Sequence, residues 1–261
     1  TTKQDLLGLT TIPVVSEFPP LTKREKKENT LILRNDRSFI VESFHILRNN
    51  LELMVPNKKN SSMLILITST MSGEGKTFTS SNLAVSFGKT GKRVLLIDGD
   101  LRKGTLTKRL NLRRKPGLSN LLLNTSLELE DGKSPFVTLE EESARVDVLP
   151  IGPLPPNPVP LLDQAHLANL IHHWQSIYDR IVIDGAPFGI LADSSIIARF
   201  ADVTLYVIRS NKIDKRFVPS IQKLADEGKL PGAAFVLNDV DFKRARYHYY
   251  GYGYGYSTKD K

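Results

Sequence analysis

The chain has 261 residues, 40% hydrophobic and 25% charged, a globular composition that excludes a collagen, a coiled-coil rod and a wholly disordered chain. It contains no cysteine, which removes disulfides, thiolate zinc sites and a cysteine nucleophile. Its 36 lysines and arginines against 28 acids leave a charge of +8, compatible with contacts to phosphates, nucleic acid or an anionic membrane face.

No segment approaches the roughly 18 to 20 apolar residues of a membrane span, and the opening TTKQDLLGLTTIPVV lacks the pattern of a signal peptide. The chain starts with Thr and is read as a fragment of a longer protein, with room for membrane spans in a missing N-terminal part. Residues 1–30 read as a linker with one strand: TIPVVSEFPP ends in two prolines, and TKREKKEN is a charge run. Residues 37–55 read as a helix, with Ser38 as cap and Phe39, Phe44, Leu47, Leu51 and Met54 near helical spacing.

The body, 31–242, alternates strand-length apolar runs with amphipathic stretches. The runs are 62–68, 93–100, 145–151, 180–187, 203–210 and 232–240; the helix-sized stretches include 76–89, 160–175, 191–200 and 214–227. Continuously apolar strands separated by helices predict a mostly parallel sheet flanked by helices on both faces. The remainder, 243–261, reads as a flexible tail: Tyr247, Tyr249, Tyr250, Tyr252, Tyr254 and Tyr256 alternate with glycines and cannot build a core.

The strongest local signal is ITSTMSGEGKTF at 67–78. A strand, a turn with Gly73 and Gly75, Lys76-Thr77 and then a helix form the context of a phosphate-binding loop. Its backbone N–H groups and the helix N-terminus point at phosphate oxygens; Lys76 reaches the β- and γ-phosphates, and the Thr77 hydroxyl suits Mg²⁺. Thr70 stands where the usual motif opens with glycine. Two further strands end in carboxylates: RVLLIDGDLR places Asp98 and Asp100 at one strand end, and RIVIDGAP places Asp184 at another. In an open parallel sheet these edges converge on the ligand crevice.

Together, TMSGEGKT, LLIDGDLR and IVIDGAP resemble the Walker A, A′ and B motifs of the bacterial tyrosine kinases (BY-kinases), the cytoplasmic kinase domains of Wzc-like capsule and exopolysaccharide co-polymerases. VLPIGPLPPNPVPLL (148–162) resembles that family's proline-rich segment, and VVSEFPP its lead-in from the membrane; the likeness runs over about 35–256. The resemblance implies a P-loop NTPase fold and transfer of the ATP γ-phosphoryl group to tyrosines of a neighbouring copy's tail, regulating polysaccharide synthesis or export at the inner membrane. It implies ATP and Mg²⁺ as cofactors, a membrane activator, fused or separate, and a phosphotyrosine phosphatase as partners. The competing reading is a partitioning or positioning ATPase of MinD or ParA type, but Met71 occupies the place of that group's signature lysine.

The site residues implied are Met71, Ser72, Gly73, Glu74, Gly75, Lys76, Thr77 and Phe78 around the phosphates, with Arg102, and Asn238 or Arg209 near the base. Thr77, Asp98 and Asp184 would hold the metal; Lys76, Asp98, Asp100 and Asp184 would be catalytic, Asp98 being preferred as acceptor of the phenol proton. The family's oligomer-contact pattern reads Glu42-x-x-His45-x-x-Arg48, with histidine in place of its first arginine. Basic clusters at 23–27 and 109–115 read as solvated surface, with anionic phospholipid as the alternative. The tail beside KRAR (243–246) also admits single-stranded nucleic acid; the adjoining motifs weigh against that, and no nucleic-acid partner is expected.

Overall fold

A computed structural model describes residues 2–22, 38–56, 61–124, 134–141, 143–162, 165–188, 192–210 and 212–242. The six tail tyrosines and the 23–27 cluster lie outside these residues. Eight strands form one sheet: β1 (Val14–Glu17), β2 (Met63–Ser69), β3 (Val94–Asp98), β4 (Val137–Glu141), β5 (Ala144–Leu149), β6 (Arg180–Asp184), β7 (Val203–Arg209) and β8 (Ala234–Asn238). Their spatial order is β1-β8-β7-β2-β6-β3-β5-β4. Every pairing is parallel except β4 with β5. The helices are α1 (Lys3–Leu7), α2 (Phe39–Met54), α3 (Lys76–Gly88), α4 (Thr105–Arg109), α5 (Leu118–Leu123), α6 (Val159–Leu162), α7 (Ala165–Ile177), α8 (Ala192–Ala198) and α9 (Val218–Asp226).

The sheet is covered on both faces because alternate side chains of its central strands point opposite ways. In β2, Leu64 and Leu66 join a core with residues of α5, α7, α8 and α9, while Met63, Ile65 and Ile67 join a second core under α2 and α3. All seven residues of β2 are buried. Helix α3 is buried along its whole length despite its polar sequence. Several of its polar side chains bond back to the helix's own backbone: Ser81 Oγ donates to Thr77 O at 2.7 Å, Ser80 Oγ to the same carbonyl at 3.1 Å, and Asn82 Nδ2 to Phe78 O at 2.9 Å.

Several expectations need correction. The first 18 residues are not a free linker: β1 pairs with β8, and Leu6, Ile12, Val15 and Phe18 are buried. Phe18 stacks on Phe44 of α2 at 4.5 Å and approaches Phe78 of α3 at 6.4 Å, so this segment supports the helix that begins the phosphate loop's far side. Ser38 stands at the N-cap of α2 but its side chain makes no capping bond, and Phe39 is 87% exposed rather than part of the buried stripe. Strand β4, α4 and α5 are additions to the expected elements. Of the candidate oligomer contacts, His45 Nδ1 lies 3.6 Å from Glu42 on the exposed side of α2. Arg48 turns inward, its Nη1 donating to Ser86 O of α3 at 2.9 Å.

Candidate nucleotide and phosphoryl-transfer site

The site lies at the C-terminal edge of β2, β3 and β6. β2 ends at Ser69, residues 70–75 turn, and α3 starts at Lys76. Gly73 and Gly75 have φ of +87° and +111°, a region that L side chains resist. At Gly75 space is also lacking: a Cβ there would come within 2.2 Å of Asn238 Nδ2. Asn238, at the end of β8, donates through that nitrogen to Glu74 O at 2.8 Å and so braces the loop from outside. In this structure the Asn238 amide is thus engaged by the phosphate loop. Arg209, its neighbour in register, pairs with Asp239 at 2.7 Å.

Further bonds fix the loop's entry. Met71 N donates to Glu74 Oε2 at 2.6 Å, and Ser69 Oγ donates to Met71 O at 2.6 Å. Lys76 Nζ donates to Ser69 Oγ at 3.0 Å. Lys76, in the first turn of α3, is 8% exposed, and burial lowers its pKa against the opposing pull of Asp184 and Asp100.

Asp98 and Asp184 are directly opposite one another in the β3–β6 register and almost wholly buried. Burial raises both pKa values, Asp98 to about 6 and Asp184 to about 7. For Asp184 the neighbouring Asp98 adds to the rise, while the Thr77 bond and Lys76 oppose it. Thr77 Oγ1 donates to Asp184 Oδ2 at 2.7 Å. Asp100 is buried at the next turn, where its Oδ1 accepts from Lys103 N at 3.1 Å and Arg102 N at 3.3 Å; the Arg102 side chain is exposed.

Thr107 is a functional neighbour that motif reading misses. Its N and Oγ1 both donate to Asp98 Oδ2, at 2.8 and 2.7 Å, and its Oγ1 accepts from Ile151 N at 2.8 Å. It lies nine residues beyond Asp98 in a five-residue helix with no periodic signal, so nothing in the sequence marks it.

The donor set fits a magnesium nucleotide. Asp98 Oδ1, Asp184 Oδ1 and Glu74 Oε1 are buried without a hydrogen-bond partner among the described residues. Unpaired buried carboxylate oxygens are costly, and a cation or donor arriving with a ligand would satisfy them. No three acidic or histidine side chains form a ready-made metal cage among the described residues. That suits Mg²⁺, which takes one or two carboxylates and completes its shell with phosphates and water.

A buried lysine, a glycine-bent loop running into a helix and paired strand-end aspartates together define a P-loop nucleotide-binding domain. Residues 65–246 match the CobQ/CobB/MinD/ParA nucleotide binding domain family. The chain is 35% identical over 189 residues to tyrosine-protein kinase YwqD of Bacillus subtilis, covering 72% of this chain and 76% of that one. It is 31% identical over 225 residues to tyrosine-protein kinase wzc of Salmonella typhi, covering 85% of this chain and 30% of that longer protein. Among solved structures, the chimerical protein CapA2B2 superposes with a TM-score of 0.77 at 29% identity, over 92% of this chain and 99% of that one. The septum site-determining protein MinD of Pyrococcus horikoshii, complexed with Mg-ADP, gives 0.54 at 26% identity, over 68% and 70%. The chain belongs to the bacterial tyrosine-protein kinases, within the wider MinD/ParA nucleotide-binding family. It is a protein-tyrosine kinase of the P-loop type, and the partitioning-ATPase reading gives way to that assignment.

Proposed function

We propose that this kinase uses Mg·ATP to phosphorylate the tyrosine cluster 247–256 of a neighbouring copy, as the cytoplasmic kinase part of a machine that controls polysaccharide synthesis or export at the inner membrane. The supporting observation concerns the other tyrosines. Of the chain's eight, six fall between 247 and 256. The remaining two are buried: Tyr178 Oη donates to Asp147 Oδ2 at 3.0 Å, and Tyr206 Oη lies 3.3 Å from Thr70 Oγ1. Burial raises both phenol pKa values, that of Tyr206 to about 12. The Tyr206 hydroxyl is buried in the fold, and the Tyr178 hydroxyl is held by Asp147.

In this reading Thr77, Asp98 and Asp184 would hold Mg²⁺, which would neutralise phosphate charge there. The N–H groups of 71–78 and Lys76 Nζ hold the phosphates, Lys76 exchanging its Ser69 partner for a phosphate oxygen. Thr77 Oγ1, which donates to Asp184 Oδ2 in the ligand-free chain, would present its oxygen to the metal. Arg102 balances charge at the rim, and Asn238 with Arg209 borders the base. A tyrosine of pKa about 10 needs its proton removed as transfer proceeds. Asp98 serves as that acceptor; in the ligand-free chain its burial raises the carboxyl's pKa to about 6. Asp100 borders the same approach.

The partners follow from the reading: a second copy, meeting the chain through the α2 face with Glu42 and His45, while Arg48 braces that face from behind through Ser86 O; a membrane activator, fused or separate; and a phosphotyrosine phosphatase that resets the tail. Incubation of the full chain with Mg·ATP, followed by mass mapping, tests the proposal. Phosphate is expected on 247–256, and cutting the chain after Lys243 should abolish self-labelling while leaving ATP binding. A truncated chain that still labels itself at the parent's rate would refute the tail as acceptor.

A further inference from the structure

Between Leu101 and Asn124 the chain carries seven lysines and arginines and no carboxylate. Lys108, Arg109, Arg113, Arg114 and Lys115 are all exposed, and among the described residues none has an acidic partner. This cluster is built onto a fixed base. Leu106 and Leu112 anchor the segment in the core beneath it. Arg113, Arg114 and Lys115 line a concavity of about 450 Å³ with Pro116, Asn120 and Pro153. Gly117, next in the chain, is packed tightly, since a Cβ there would meet Pro150 O at 2.0 Å and Gly152 N at 2.5 Å.

The cluster also has a defined relation to the reaction site. Thr107 is clamped to Asp98 through two hydrogen bonds, and Lys108 and Arg109 follow it directly on α4. The exposed cations Lys108 and Arg109 thus share a five-residue helix with the residue that is bonded to Asp98.

The tail supplies the charge argument. Residues 243–261 hold five lysines and arginines against one acid, so the unmodified tail is repelled by the cluster. Each phosphotyrosine brings about −1.5 to −2 charges and three strong acceptor oxygens, so roughly three of them reverse the tail's sign. Planar guanidinium groups such as those of Arg113 and Arg114 grip phosphate with paired hydrogen bonds.

Resting on the proposed function, we infer that the 108–115 cluster is a phosphotyrosine docking site for the tail of a second copy. It holds the already modified part of that tail while the next tyrosine enters beside Asp98. Early transfers then favour later ones, and the tail fills as a series rather than as independent sites. A phosphotyrosine seated here reads the product of the same reaction.

The test uses the full chain, dephosphorylated, and a labelled peptide of residues 247–261, either unmodified or phosphorylated at Tyr252, Tyr254 and Tyr256. Fluorescence anisotropy should show the phosphopeptide bound at least about tenfold more tightly. The double variant Arg113→Glu/Arg114→Glu should erase that preference, and Arg113→Gln/Arg114→Gln should reduce it. In labelling time courses the Glu variant should keep the rate of the first transfer but accumulate singly modified tails. Equal affinity of the wild type for both peptides, or a preference that survives the double variant, would overturn the inference. So would a variant whose only loss is binding to phosphatidylglycerol vesicles, which would make the cluster a membrane contact. The binding assay needs neither ATP nor transfer. A wild-type chain that docks the phosphopeptide but never labels its tail would instead refute the proposed acceptor, and leave the docking result standing.

Discussion

Thr107→Val removes one hydroxyl and keeps the side chain's shape, which isolates what that oxygen does. Two bonds vanish: the donation to Asp98 Oδ2 at 2.7 Å and the acceptance from Ile151 N at 2.8 Å. The first is charge-assisted when Asp98 is ionised, a class contributing about 1.5–3 kcal/mol; the second leaves a backbone N–H without its partner, costing about 1–3 kcal/mol if it stays buried. Because the donation from Thr107 N at 2.8 Å survives and the loop can relax, the combined loss should be about 2–4 kcal/mol. For a chain of this size that is a Tm lower by roughly 4–8 °C. Asp98 also loses a group that holds its pKa down, so its carboxyl should titrate higher still. Thermal unfolding of the ligand-free protein gives the first number, and the acid limb of the labelling rate against pH, moved toward higher pH, gives the second. Thr107→Ser, which retains the hydroxyl, should restore most of both. A valine variant within about 0.5 kcal/mol of the parent, the scatter of ordinary surface changes, with an unmoved pH limb would refute the clamp.

Other perturbations address the loop and its charges. Lys76→Met should abolish tail labelling while holding or raising stability, because it replaces a buried ammonium by an apolar chain of similar length; labelling at the parent's rate would refute the phosphate-loop assignment. Gly75→Ala should cost about 1–3 kcal/mol and weaken nucleotide binding, since it must adopt a φ of +111° and expel Asn238 from Glu74 O; unchanged binding by calorimetry would show the loop to be slacker than drawn. The ligand-free chain should gain stability from Asp184 as pH falls from 8 toward 5. Its folded pKa, about 7, lies above the usual carboxylate value, so the folded state binds the extra proton and the penalty of burying the charge disappears. Asp184→Asn should flatten that slope in chelator-treated protein, and an unchanged slope in denaturation curves would assign it elsewhere.

The parts of the site that sequence revealed are those where backbone geometry and chemistry share a few adjacent residues. Continuous apolar strands closing on Ser69, Asp98 and Asp184, and glycines bracketing a turn before Lys76, leave little freedom of interpretation. What stayed hidden depends on long-range placement. Lys76 looks exposed beside glycines, yet the docked N-terminal segment and α2 close over the helix it begins. Asn238 is 164 residues from the carbonyl it braces. Arg180, wholly buried with Glu52 at 3.2 Å and the Phe87 ring at 5.5 Å, reads from sequence as an ordinary surface residue opening a strand. Strand β4 did leave a trace: VTLEE alternates as a half-covered edge strand should, but it is short and rich in glutamate.

The pairing of β1 with β8 has a mechanical consequence. The two strands run in the same direction, so Pro13 lies at the pole of the sheet away from the phosphate loop, and Asp239 lies at the loop's pole. Tension between the segment ahead of β1 and the segment beyond β8 would act along the strands. It would load the bonds Phe235 N to Pro13 O, Phe18 N to Leu237 O and Val240 N to Phe18 O together, in shear, rather than opening them one after another. A seam loaded this way resists until it slips as a unit. Its slip would draw Phe18 away from Phe44 and Phe78 and withdraw support from the helix that carries Lys76. A pull on the segment ahead of β1 would thus reach the helix that carries Lys76 through a single edge of hydrogen bonds.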